Sequence, residues 1–282
     1  MTERAWAKVN LCLHVTGLRA DGYHLLDSLV AFAGVGDLLE AAPAPKAALV
    51  LAGPFGAELP AGEDNLVLRA ARAVAPDFPV AFRLEKNLPP ASGIGGGSAD
   101  AAAAVRAVLR LMGRPGAVDA DVIAALGADV PVCMRSGPAR MRGIGERLDP
   151  VPAFPQVWAV LANPRVEVPT PQVFRALAVK ENPGLPGVLP RWRDALALAH
   201  WLSGQRNDLE PAALRVAPVI GQALAALEAL PGALLARMSG SGATCFALFA
   251  EEAAAQRAAD RLRAQAPAWW VAAAALLPDE AA

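Results

Sequence analysis

The sequence predicts an α+β protein built in two parts. Strand-like alternation and helix-like periodicity interleave along the chain without the regular strand–helix order of a doubly wound sheet. A cluster of glycines falls between one such strand and one such helix. A proline-rich stretch at 149–155 separates two halves that each carry strands and helices of their own. The expected division is 1–150 and 151–282, and no internal repeat is visible.

The first strand is read at 8–15, where Val9, Leu11, Leu13 and Val15 face one way and Lys8, Asn10, Cys12 and His14 the other. Asp64-Asn65 opens a helix over 66–74. Val80, Phe82 and Leu84 alternate as a second strand, which runs into a loop at 87–90. Beyond the glycines, 99–112 is amphipathic, with a ridge of Ala101, Ala104, Val105, Val108 and Leu109, and Gly113 with Pro115 ends it. Another helix, capped at Asp119, runs to Gly127.

The second half begins with an apolar strand at 157–161. Thr170-Pro171 reads as N-cap and first-turn proline of a helix through Val179. Residues 182–190 hold three prolines and two glycines and form a loop. Helices follow to Leu230, two short strands flank 239–242, a helix starts at Glu251, and an apolar strand lies at 269–277.

Hydrophobic residues make up 55% and charged residues 19%, which suits a globule with a real core and excludes a disordered chain. A formal charge of −1 gives no long-range attraction to nucleic acid or to anionic membrane, so an anionic substrate needs a local site. The apolar run after Arg4 and Lys8 is broken by Arg19, Asp21 and His24, too early for a leader, and no segment reaches the ~18 apolar residues of a membrane span. Cys12, Cys133 and Cys245 lie far apart among apolar neighbours and are expected as reduced core thiols of a cytoplasmic protein. Alanine-rich stretches recur throughout and are read as a feature of composition.

The strongest local signal is P-P-A-S-G-I-G-G-G-S-A-D at 89–100. Its glycines allow a tight backbone that aims several N–H groups inward, and the helix behind adds its positive end, which together make a phosphate cradle. A plain strand–helix turn would not need four glycines in five positions. No lysine follows them, which excludes a Walker loop. Position 98 is serine where a dinucleotide fingerprint starting at Gly93 needs glycine.

Transfer of a phosphoryl group to a hydroxyl needs a group for the proton and a cation for the charge. Asp129 sits in an apolar stretch just after a helix end, and a lone carboxylate there is costly to bury. Lys8 is placed alike on the first strand. Two readings stay open: a Lys8–Asp129 pair, or two surface charges at the ends of elements.

The run A-K-V-N-L-C-L-H-V-T-G-L-R-A-D-G-Y-H at 7–24 resembles the opening of the 4-diphosphocytidyl-2-C-methylerythritol kinases, a family of the GHMP kinases. The glycine segment, G-A-D-V-P-V at 127–132, G-I-G-E at 143–146, N-D-L-E-P at 207–211 and M-S-G-S-G-A at 238–243 resemble the same family, in the same order, from about Ala7 to Phe249. The resemblance implies a two-lobed GHMP kinase fold with its active site in the cleft between lobes. It implies a catalytic pair, Asp129 and Lys8. It implies ATP contacts at Asn65, Pro89, Gly93, Ile94, Gly95, Gly96, Gly97 and Ser98, with Mg²⁺ carried in by ATP and no metal ligands of the protein's own. Asn10, Tyr23, His24, Thr170 and Phe174 match positions that hold the cytidyl diphosphate substrate, with Tyr23 and Phe174 as stacking faces and His24 on the base edge.

Each of these has a local rival. Tyr23 and His24 could pack over a turn, Thr170 is explained as a cap, and Phe174 suits a core. His14 and His200 fit no motif and are read as structural. Ala99 stands where many relatives carry a second serine after the glycines, which leaves Ser98 as the single candidate hydroxyl there. The implied reaction is phosphorylation of the substrate's 2-hydroxyl in non-mevalonate isoprenoid synthesis. A mevalonate or homoserine kinase and a non-catalytic nucleotide-binding module are the alternatives.

Overall fold

The computed structural model describes residues 1–116 and 118–278. The chain opens with two long strands, β1 (Thr2–Leu18) and β2 (His24–Pro43), then β3 (Ala48–Ala52), α1 (Leu66–Val74) and β4 (Val80–Glu85). Three helices follow: α2 (Gly96–Leu111), α3 (Ala120–Leu126) and α4 (Val130–Arg135). Next come β5 (Ala139–Gly143), β6 (Arg147–Asp149), β7 (Trp158–Asn163) and α5 (Thr170–Arg175). The rest is α6 (Ala195–Ser203), α7 (Glu210–Val216), α8 (Val219–Glu228), β8 (Leu235–Met238), β9 (Cys245–Phe249), α9 (Glu252–Gln265) and β10 (Trp270–Ala275). This is the α+β class expected, and among the described residues no helix is long and apolar enough to cross a membrane.

The elements fall into two compact units that do not follow chain order. Unit 1 is Met1–Lys8, Val35–Pro90 and Gly95–Ser136; unit 2 is Val9–Gly34, Ala91–Ile94 and the chain from Gly137 onward. In unit 1, β4 lies between β3, which runs parallel to it, and the C-terminal part of β2, which runs antiparallel, with Leu84 opposite Leu39 and Phe82 opposite Ala41. Helix α2 packs on α1 and α4. Its alanines 99, 101–104 and 107 are all at most 2% exposed. Composition is therefore not the whole account of the alanines: here small side chains are what lets two helices close on a third.

In unit 2 the four-stranded antiparallel sheet runs β10-β7-β9-β8, with Leu161 opposite Phe246. Val173, Ala213, Ile220, Leu227 and Leu262 of α5, α7, α8 and α9 cover Cys245, Ala247 and Phe249 in one core. The N-terminal part of β2 pairs with β5, which pairs with β6. The three cysteines are buried and free; burial pushes the Cys12 thiol up to about 11.

Several expectations need correction. The first strand is 17 residues long rather than eight, and both of its faces are buried, so Lys8, Asn10 and His14 lie inside. The 20-residue β2 was not anticipated, because residues 27–33 are buried on both sides and show no alternation. Helix α2 starts at Gly96, three residues early, since glycine is costly in a helix interior but not in a first turn. Thr170 is the first residue of α5 and makes no cap; the cap position is Pro169, and the helix ends at Arg175 instead of Val179. The Arg215 guanidinium takes the Ala176 carbonyl there, and the chain then leaves toward Val15, whose carbonyl accepts from the Asn182 amide. Asp129 is the N-cap residue of an unexpected short helix, α4.

Overpacking α2 tests the alanine argument. Ala103→Leu is expected to cost about 1–3 kcal/mol, read as a lower denaturation midpoint in urea.

Candidate active site

In unit 1 a lysine and an aspartate meet against the glycine segment. Strand β1 carries Lys8 into the interior, where it is 4% exposed, and its Nζ donates to Asp129 Oδ2 at 2.8 Å. Asp129 is reached where α3 stops at Gly127 and α4 begins, and its side chain keeps 33% exposure. The pair expected from two isolated charges is therefore formed, with the carboxylate partly open to solvent. Gly95, at φ +65°, caps α2; a Cβ there would lie 3.3 Å from Cβ and Cε of Lys8 and 3.8 Å from Asp129 Oδ2. Glycine is required both by the left-handed backbone and by the lysine stem.

Helix α2 presents its positive end at this place. Its first internal bond runs from the Ala99 amide to the Gly95 carbonyl, so the Gly96, Gly97 and Ser98 amides precede the helical ladder. Gly97 is exposed, and a Cβ on it would meet nothing within 4 Å. Bare amides, a helix dipole, a buried ammonium and a half-open carboxylate can bind a phosphate chain and handle a hydroxyl proton.

In unit 2 the residues before Gly95 are clamped to the serine–glycine motif. Ser239 Oγ donates to the Gly93 carbonyl at 3.1 Å and accepts from the Asn10 amide at 3.0 Å. The Thr244 amide donates to Ser92 O. Gly93, at φ +76°, would drive a Cβ to 2.6 Å from the Gly242 carbonyl. Asn207 holds the motif from behind, donating at 2.9 Å to both Met238 O and Gly240 O, while Glu210 accepts from the Met238 amide. Asp208 accepts from the Val15 amide, tying N-D-L-E-P to β1 as well. Sequence reasoning noted both motifs without a role for them; their spacing alone carried no sign that one braces the other. In G-I-G-E, the Glu146 carboxylate folds back onto the Ile144 amide.

The residues expected to hold a base separate into two kinds. His24 stacks on Phe174, with ring centroids 4.8 Å apart and planes 30° from parallel. Burial and the Lys180 cation lower the pKa of His24, which keeps the ring neutral at pH 7. Tyr23 is 60% exposed and stacks on neither. Thr170 Oγ1 hydrogen-bonds Ser241 Oγ at 2.8 Å. Asn10 donates to Ser28 Oγ, while its Oδ1 has no partner; His24 Nε2 has none either. Asn65 spends its carboxamide locally, accepting from Val67 N and donating to Pro60 O. Pro89 and Ile94 are buried and Ser98 half-buried. Among the described residues no group of three or more His, Cys, Asp or Glu could hold a metal ion.

Comparison with known proteins agrees with this geometry. The family "GHMP kinases N terminal domain" matches residues 65–139 and "GHMP kinases C terminal" matches 164–268. A 4-diphosphocytidyl-2-C-methyl-D-erythritol kinase of Cereibacter sphaeroides (strain ATCC 17029 / ATH 2.4.9) is 57% identical over 98% of this chain and 100% of its own. The chain belongs to the 4-diphosphocytidyl-2-C-methyl-D-erythritol kinase family of GHMP kinases. A solved 4-(cytidine 5'-diphospho)-2C-methyl-D-erythritol kinase superposes on this kinase with TM-score 0.79 at 36% identity, covering 98% of this chain and 99% of that one. A homoserine kinase from Cytophaga hutchinsonii, at 20% identity and TM-score 0.67 over 99% and 95%, shares the fold.

The Gly95 contact is open to test. Gly95→Ala is expected to lower kinase turnover by about tenfold or more while circular dichroism stays unchanged, because the added methyl meets the Lys8 stem at a left-handed φ.

Proposed function

We propose that this kinase transfers the γ-phosphoryl group of ATP to the 2-hydroxyl of 4-diphosphocytidyl-2-C-methyl-D-erythritol, giving the 2-phosphate and ADP, as a cytoplasmic step of non-mevalonate isoprenoid precursor synthesis. The observation that carries the reading is the pair of buried Lys8 and part-exposed Asp129, 2.8 Å apart and packed against Gly95 at the head of α2. Asp129 accepts or orients the hydroxyl proton, and its partial exposure leaves it accessible to an incoming alcohol. Lys8 and the amides at the start of α2 stabilise the charge that spreads over the transferring group.

The reading of the acceptor rests on relatives named for it and on two polar atoms. Asn10 Oδ1 on β1 and Nε2 of the neutral His24 ring, which stacks on Phe174, are hydrogen-bonding atoms that the described residues do not use. A cytosine edge carries both a donor and acceptors and fits such partners. Mevalonate and homoserine carry no base, so neither would use them. Mg²⁺ enters with ATP, because the ion commonly keeps waters and phosphate oxygens as ligands, and Ser98 is the single candidate hydroxyl after the glycines. Asn65 and Pro89 are assigned to the nucleotide, Tyr23 and Thr170 to the acceptor. The family matches cover 65–139 and 164–268, while the compact units interleave along the chain and do not divide at 150.

The decisive measurement is ADP release with ATP, Mg²⁺ and this acceptor, with the new phosphomonoester identified by ³¹P NMR. No turnover by folded, ATP-binding protein would reject the acceptor. Asp129→Asn is expected to keep ATP affinity and lose about 10²–10⁴ in turnover; a near-normal rate removes Asp129 from the chemistry. For His24→Ala, KM for the acceptor should rise at least about tenfold with KM for ATP little changed. Equal rises in both would move His24 out of the acceptor pocket.

A further inference from the structure

A second buried lysine lies against the same glycine segment, and the reaction as described does not use it. Lys86 follows β4 and is 1% exposed. Its Nζ donates to Asp37 of β2 at 2.5 Å and to Asp100 of α2 at 2.6 Å, and these carboxylates are themselves 0% and 3% exposed. Asp37 is fully engaged: its other oxygen accepts from the Asn87 amide at 2.6 Å and the Leu88 amide at 2.8 Å. The backbone of Lys86 is pinned too, its amide donating to Ala52 O and its carbonyl accepting from Phe55. On the far side, a Cβ built on Gly96 would come within 3.1 Å of the ammonium. One ammonium thus ties the strand before the glycine segment, the loop entering it and the first turns of the helix after it.

We propose that Lys86, clamped between Asp37 and Asp100, is the positioning residue that sets the phosphate-binding turn at Gly96. This rests on the kinase reading above only in taking that turn to face phosphate. Lys86 touches backbone and carboxylates, so it acts through the turn. Charge counting then assigns a proton. One ammonium with two carboxylates leaves a net negative charge inside the protein, which is costly in a low-dielectric interior. Asp37 has three donors, whereas Lys86 is the one donor to Asp100 among the described residues, and the Asp37 carboxylate lies within hydrogen-bonding reach of Asp100. Asp100 therefore holds the proton. Burial raises it to about 7, Asp37 adds to the rise, and Lys86 opposes it. The ionisable groups that reach Asp100 are Asp37, Lys86 and, from α4, the Cys133 thiol; Arg69 and Arg72 on α1 are exposed. Above neutrality Asp100 ionises and sets a negative charge behind the amides that receive phosphate, so ATP binding weakens as pH rises.

The test reads ATP affinity by calorimetry, without any acceptor. Wild-type protein that fails to bind ATP would reject the kinase reading itself, an outcome separate from those that follow. Lys86→Arg keeps the charge but places a larger planar group where Gly96 leaves no room. It should bind ATP at least about fivefold more weakly than wild type per folded molecule. A smaller change in folded Lys86→Arg overturns the proposal, since a purely structural lysine would lower the melting temperature and leave the affinity of the folded fraction alone. Asp100→Asn decides the matter should that variant not fold. Between pH 6 and pH 8.5 the ATP affinity of wild type should fall more steeply than that of Asp100→Asn, whose amide cannot ionise. Equal slopes in the two proteins overturn the proposal.

Discussion

An ammonium withdrawn from water must meet a counter-charge, and among the described residues Asp129 supplies one to Lys8, at 2.8 Å. Much of the surrounding construction serves that meeting. Strand β1 has to bring a lysine inward, so its register is held by strong partners farther along: Arg237 donates to Leu11 O and Asp208 accepts from Val15 N. The carboxylate must arrive on a chain reversal, which Gly127 at φ +154° and the start of α4 provide. Gly95 must have no side chain, because the lysine stem fills the space. Such a pair is weak support for stability, since desolvation of the lysine offsets much of its attraction to a carboxylate that stays part-exposed. On the proposed function, its presence is explained by chemistry.

The same economy recurs in unit 2 with uncharged groups. Backbone carbonyls at Gly93 and Gly240, in turns, and at Met238, the last residue of β8, receive their hydrogen bonds from Ser239 and Asn207. Because Asn207 spends both donors and its acceptor on backbone, the Leu209 amide included, a change there would disturb the serine–glycine turn and the entry to α7 together. The glycine segment is thus braced by side chains on either part of its length, Gly93 by Ser239 and Gly96 by Lys86.

Local rules made part of this legible. Asn65, Asp119 and the glycines stop or start elements through their own backbone preferences, and α1 and α3 follow from them with accurate ends. The Lys8–Asp129 pair was readable as two charges stranded in apolar runs, though only the fold could join positions 121 residues apart. What escaped was long-range. Residues 27–33 of β2 show no alternation because both faces are covered, and the cover comes from distant chain. Lys86 in L-E-K-N looks like any solvated lysine at a strand end; nothing local says that Asp37 and Asp100 close over it. His24 on Phe174 required a contact across 150 residues, which no local pattern announces.

Among the described residues, four buried side-chain polar atoms have no hydrogen-bond partner: Asn10 Oδ1, His24 Nε2, Asp100 Oδ1 and Trp192 Nε1. Each such atom costs about 1–3 kcal/mol, so their distribution carries information. On the proposal above, protonation makes Asp100 neutral, which lowers the cost of its unpaired oxygen. Trp192 packs between Phe154 and Trp201, and nothing in the structure explains its free N–H. The other two belong to residues that the family resemblance assigns to the acceptor, one on β1 two positions beyond Lys8 and one at the head of β2. On the proposed function, both atoms find partners in the cytidyl substrate, and the stability they forgo in the free protein returns as binding energy that an acceptor without a base cannot claim. Discrimination built on polar atoms left unpaired by the wrong ligand is far sharper than discrimination by apolar contact.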